Sequence, residues 1–204
     1  MKYQFDPTEL TREKSLWDVY KQARRIRPSW LQNFANIGAL VLLSVNSFLL
    51  NPDTQYLLID LRTWASNGFN FTITTLGFLI AGFTIFMTVA KPEMMLAMMD
   101  HIDQETKLPT LKRNFFAFMR VFIAYLICAG GYLVVMLFGQ PHGVIASLIH
   151  LLPESECIRN ISIKIAYVLV GTSFVYLLLM LKSFIFNVYM IVMNFLRWEY
   201  EKSK

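Results

Sequence analysis

The side chains of this chain that could do chemistry are few, and they lie apart. His101, His142 and His150 all fall between apolar runs. Asp100, His101, Asp103 and Glu105 crowd together, but their spacing matches no standard metal-ligand pattern, so a solvated acidic loop is expected. His142, His150, Glu154 and Glu156 could converge on a second connector. There is no glycine-rich phosphate loop, no zinc-ligand spacing and no nucleophile elbow. Cys128 sits in an apolar run and Cys157 in a connector, so a disulfide framework is not expected. The expectation is a protein that is not an enzyme, with no catalytic, cofactor-binding or metal-binding residue and no cofactor. Lys182 stands out because it interrupts an apolar run. It can snorkel towards headgroups, or line a conduction path as an intramembrane functional residue.

The elements that carry these residues are apolar. Of 204 residues 55% are hydrophobic, and mean hydropathy is +0.45, which places the chain among membrane proteins. Four apolar runs are read as transmembrane helices at 34–50, 71–90, 115–139 and 163–181, with 51–70 as a connector that can hold a short interfacial helix. The last continues to residue 198 as a long C-terminal helix. The predicted fold is an all-α membrane protein: a four-helix transmembrane domain over 34–198, preceded by a cytosolic or interfacial segment over 1–33 that forms one amphipathic basic helix. That segment is too long and too polar to be a secretory signal.

Residues 71–90 are the most informative run. They hold no charge, and Lys91-Pro92-Glu93 ends them. Thr72, Thr74, Thr75, Thr84 and Thr88 offer hydroxyls, which ordinarily bond back to the preceding turn. Gly77 and Ala81 form a small-xxx-small pair, and Gly82 extends it, so this helix is a candidate for close packing or self-association. Gly130 and Gly131 offer a second such place on the third span.

In the N-terminal segment Asp6-Pro7-Thr8-Glu9 reads as a helix start, with Asp6 as N-cap. Leu16, Val19, Tyr20, Ala23 and Ile26 recur at helical spacing, with basic residues between them. Lys21, Arg24, Arg25 and Arg27 are the candidate contacts to something anionic, a membrane surface by default and otherwise a nucleic acid or protein partner. Four methionines, Met94, Met95, Met98 and Met99, cluster after the second span as an adaptable contact surface.

Basic residues set the topology. With both termini inside, fifteen basic residues fall on the inner segments against Arg62 and Arg159 outside. Both termini are therefore expected in the cytoplasm. None of the four spans holds a carboxylate, which removes the usual means of proton- or sodium-coupled transport.

The stretch TITTLGFLIAGFTIFMTVAKPEM, residues 72–94, resembles the small multi-pass membrane effectors found beside bacterial anti-phage sensors, including those of retron and other abortive-infection systems. What the resemblance implies is a toxin-like effector. A cytosolic sensor protein, alone or with a nucleic acid, would hold it inactive; once released it would form a homo-oligomer and disrupt the inner membrane. The residues alone leave open a structural or scaffolding subunit of a membrane complex, and a small channel or transporter.

Overall fold

The computed structural model describes residues 5–26, 29–50, 53–140, 143 and 155–203. Among them every regular element is helical, and four helices are long and apolar enough to cross a membrane. A 3₁₀ turn at Pro7–Thr11 leads into α1 (Leu16–Ala23), α2 (Trp30–Val45), α3 (Thr54–Val89), α4 (Pro92–Asp100), α5 (Thr110–Phe138) and α6 (Ser155–Lys202). A π-turn at Asn46–Leu50 continues α2. An isolated bridge between Ile102 and Pro109 closes the turn between α4 and α5.

Proline punctuates this order. Among the described residues no proline lies inside a long helix. Pro7 and Pro92 occupy the first turn of their helices, and Pro109 immediately precedes α5. In sequence, Pro28, Pro52 and Pro153 stand two residues before α2, α3 and α6. A proline has no N–H to give a helix interior, whereas at a helix start that N–H would be unpaired anyway.

Apart from Ala90 and Gly139 the four predicted spans lie in helices, the first in α2 and its π-turn, and all four helices begin at least four residues before the predicted limits. Serine 29 begins α2 early: its hydroxyl accepts the Gln32 N–H, and the Gln32 side chain accepts the Ser29 N–H. Helix α3 holds 36 residues, about 54 Å, so 51–70 is not mainly a connector. Leu57, Leu61, Ala65, Gly68 and Thr72 recur at helical spacing and are all buried, while Asp60, Arg62, Asn67 and Asn70 take other positions. Helix α6 runs unbroken for 48 residues, and Lys182 does not interrupt it. The N-terminal segment corrects the expectation of one helix. Asp6 does cap a helix, accepting the Thr8 N–H at 2.9 Å, but that helix is only the short 3₁₀ turn. Ser15 then caps a separate α1 through the Asp18 N–H.

The chain forms two compact units, and α3, α5 and α6 contribute a segment to each. One comprises Pro28–Leu76 and Tyr125–Leu179. Its core combines aromatic stacking with hydrogen bonds between helices. Trp64 stacks on Tyr167 at 4.6 Å, within a cluster of Leu43, Leu57, Ile163 and Val168. Asn46 donates to the Tyr167 hydroxyl at 3.1 Å, and Thr54 donates to Asn160 at 3.0 Å. Tyr125 donates to the Leu177 carbonyl, and the Tyr132 hydroxyl bonds that of Ser173.

The other unit comprises Met1–Arg27, Gly77–Ala124 and Met180–Lys204. Phe83 meets Phe115, Phe118 and Phe122 edge-on, and Phe184 packs on the last two. Of the clustered methionines, Met94 and Met99 are buried, while Met94, Met95 and Met98 line an apolar recess with Phe118, Ile191 and Phe195. Val19, Ala23 and Ile26 pack against Leu108 and Phe116.

Candidate functional site

The residues that could have formed a reactive cluster serve local structure instead. The Nδ1 of His101 bonds the Thr110 hydroxyl at 2.8 Å. Asp103 Oδ2 accepts both the hydroxyl and the N–H of Thr106, at 2.6 and 2.8 Å, and lies 3.6 Å from Arg113. Those Thr106 bonds hold the Asp103 carboxyl below its ordinary range, with the Arg113 charge adding to the effect. Lys107 closes the turn at a φ of 58°. His142, His150 and Glu154 lie outside the described residues, and Glu156 is exposed at the start of α6. Among the described residues no three His, Cys, Asp or Glu side chains gather as a metal site would require.

Lys182 is exposed on α6, and no ion pair holds it among the described residues. That placement suits a side chain reaching for headgroups. Lys21, Arg24 and Arg25 are likewise exposed, while Arg27 lies outside the described residues.

The glycines divide in a way their sequence positions do not announce. A Cβ added at Gly77, Gly82, Gly130 or Gly131 would meet nothing within 4 Å. Among the described residues these four meet no close neighbour, and Ala81 is exposed. Close packing falls to two others. A Cβ at Gly68 would come within 2.9 Å of the Phe174 and Tyr132 rings, and one at Gly171 within 2.7 Å of Leu43 and 2.9 Å of Trp64. Gly68 lies in the stretch expected to be a connector, and Gly171 occupies an unremarked place in the last run.

Helix α3 then presents an unusual outward face. Thr63, Asn67, Asn70, Thr74, Gly77, Ala81, Thr84 and Thr88 follow one another at alternating steps of four and three residues, and all eight are exposed. That spacing is the repeat that keeps one stripe facing a partner helix. Every member is small or polar. Large apolar residues, Ile73, Phe78, Ile80 and Ile85, flank the stripe and are also exposed. Thr63, Thr84 and Thr88 donate back to the carbonyls of Ile59, Ile80 and Ile85, as threonines in helices commonly do. The amides of Asn67 and Asn70 bond nothing among the described residues.

Arg62 marks where this face enters the uncharged part of α3. Its guanidinium donates to the Gly139 carbonyl beyond the end of α5, and no charged residue follows on α3 before Val89. At 1.5 Å per residue Asn67 lies about 7.5 Å and Asn70 about 12 Å further along the helix. The geometry can support helix–helix association in a bilayer, with small residues for close approach and amides for hydrogen bonds. Gly77 and Ala81 pointed to part of this face, whereas Gly82 is half-buried and lies off it. The rest, from Thr63 to Asn70, was missed because the stretch looked like a connector; the unbroken four-three alternation was its signal.

Comparison with protein-family models, with curated proteins and with solved structures returns no match for this chain.

Proposed function

We propose that this chain is a membrane-embedded effector that assembles with further copies of itself through the outward face of α3 and thereby permeabilises the membrane. The observation that carries the reading is the stripe from Thr63 to Thr88, small or polar at every position and exposed throughout. A polar amide facing lipid tails is unfavourable unless it finds a partner. Asparagine supplies both donor and acceptor, so the same residue on a second copy is a suitable one. Gly77 and Ala81 let the two backbones approach at the middle of the stripe.

The inner membrane is the proposed location, with both termini in the cytoplasm, because fifteen basic residues would then lie inside against two outside. The anti-phage setting, and a cytosolic sensor that keeps the effector inactive, rest on the resemblance of residues 72–94.

The test is inducible expression in a bacterial host carrying a membrane-potential dye. Wild type should depolarise the cells. Gly77→Leu/Ala81→Leu should reach the membrane fraction in equal amount yet leave the potential intact, since lipid is as apolar as leucine. A wild-type protein that inserts and assembles without changing the potential would overturn the effector reading and favour the scaffold.

A further inference from the structure

The N-terminal segment packs on the chain through one apolar side. Val19, Ala23 and Ile26 are applied to Leu108 and Phe116. Two polar ties fix its level. Lys112 pairs with Glu13 at 2.7 Å, with both side chains largely buried, and Arg120 donates to the Ile26 carbonyl at 2.6 Å. Arg120 is the last charged residue before Val121–Phe138, which carries no charge. The segment is therefore held where α5 enters its apolar stretch, the level at which headgroups lie.

The exposed side chains of the segment are mixed. Leu16 and Trp17 are 61% and 62% exposed. Lys21 places its ammonium 5.9 Å from the centre of the Trp17 ring, and Tyr20 stacks on the same ring at 5.4 Å. Arg24 and Arg25 follow, both exposed. None of the three cations has an ion-pair partner among the described residues. Asp18, the only acid in α1, bonds Ser15, and that bond holds its carboxyl below the ordinary range.

We infer that residues 16–25 form a clip for anionic phospholipid, in which Lys21, Arg24 and Arg25 take the phosphates while Leu16 and Trp17 enter the upper acyl region. Charge complementarity selects an anionic partner. The exposed Leu16 beside Trp17 selects one with an apolar layer under its charges, and the tie to Arg120 puts that layer within reach. The inference rests on the chain spanning a membrane and is independent of self-association.

The full-length protein is reconstituted into vesicles of phosphatidylcholine alone or with phosphatidylglycerol, with brominated acyl chains as quencher. The Trp17 contribution is the difference in fluorescence between wild type and Trp17→Phe. It should be quenched by the brominated lipid and shielded from aqueous iodide, more so with phosphatidylglycerol. Lys21→Gln/Arg24→Gln/Arg25→Gln should abolish the difference between the two lipids, since each charge is worth roughly fivefold at an anionic surface. The triple variant leaves Val19, Ala23, Ile26 and the Arg120 tie intact, and its thermal unfolding should match wild type. A Trp17 that stays open to iodide in phosphatidylglycerol vesicles would overturn the inference. Tight binding of a single-stranded oligonucleotide at that face, lost in the triple variant, would overturn it in favour of a nucleic-acid surface.

Discussion

Arg62 holds the carbonyl of Gly139 with two hydrogen bonds, from Nε at 3.0 Å and Nη2 at 2.8 Å. The bonds satisfy an oxygen just beyond the end of α5, where helix carbonyls lack partners within the helix. They also set α3 against α5, so that everything from Thr63 onward follows a fixed point. An arginine that looked like a connector charge anchors a helix.

Arg62→Gln removes the charge-assisted pair and should lower stability by about 1–3 kcal/mol. Denaturant unfolding of the purified protein in detergent measures it. Arg62→Lys should recover part of the loss, since lysine brings charge without the planar fork. Unchanged unfolding in Arg62→Gln would show that the contact carries no stability.

Glycine substitutions should separate folding from assembly. Gly68→Ala forces a methyl against the Phe174 and Tyr132 rings and should cost about 1–3 kcal/mol through overpacking. Gly77→Ala meets nothing within 4 Å and should leave unfolding unchanged or slightly stabilised, as alanine is the better helix former. The same unfolding assay reads both. Equal effects at the two positions would contradict the division between inward and outward glycines.

Asp103 makes a prediction in pH. Thr106 hydrogen bonds, joined by the Arg113 charge, depress its folded pKa below the ordinary 3.8. A carboxylate with a depressed folded pKa contributes stability that is fully present above the unfolded value and lost as pH falls through the folded one. The turn between α4 and α5 should thus keep this contribution down to about pH 4 and lose it below. The Thr106 amide resonance, followed by NMR against pH, should move with a midpoint under 3.8 in wild type. That transition should be absent from Asp103→Asn. A midpoint at or above the ordinary value would contradict the assignment.

The sequence made the number of long helices legible because hydropathy counts apolar runs directly, and each of the four contains one. Their lengths were less legible. Asp60 and Arg62 made 51–70 look polar, although Leu57, Leu61, Ala65, Gly68 and Thr72 already carried a helical period through it. The role of each glycine could not be read, because Gly68 and Gly77 have the same chemistry and differ only in what the fold puts opposite them. Part of the α3 face was visible from Gly77 and Ala81. Its full extent needed the knowledge that α3 begins at Thr54 and that Thr63 to Thr88 share its exposed side. The charge-lined strap at the N-terminus was visible as an amphipathic period. Its docking was not, since the partners Leu108, Phe116 and Arg120 are some ninety residues away.

The central claim, that copies meet along α3, is tested most directly by cysteine cross-linking in membranes. Single cysteines are placed along α3 in a background with Cys128 and Cys157 replaced by serine, and covalent dimers are scored after mild oxidation. Cross-linking should peak at 67, 70, 74, 77, 81 and 84, repeating every three and four residues, and fall away at the flanking 73, 78, 80 and 85. Dimers at the flanking positions instead, or at none along α3, would contradict the account.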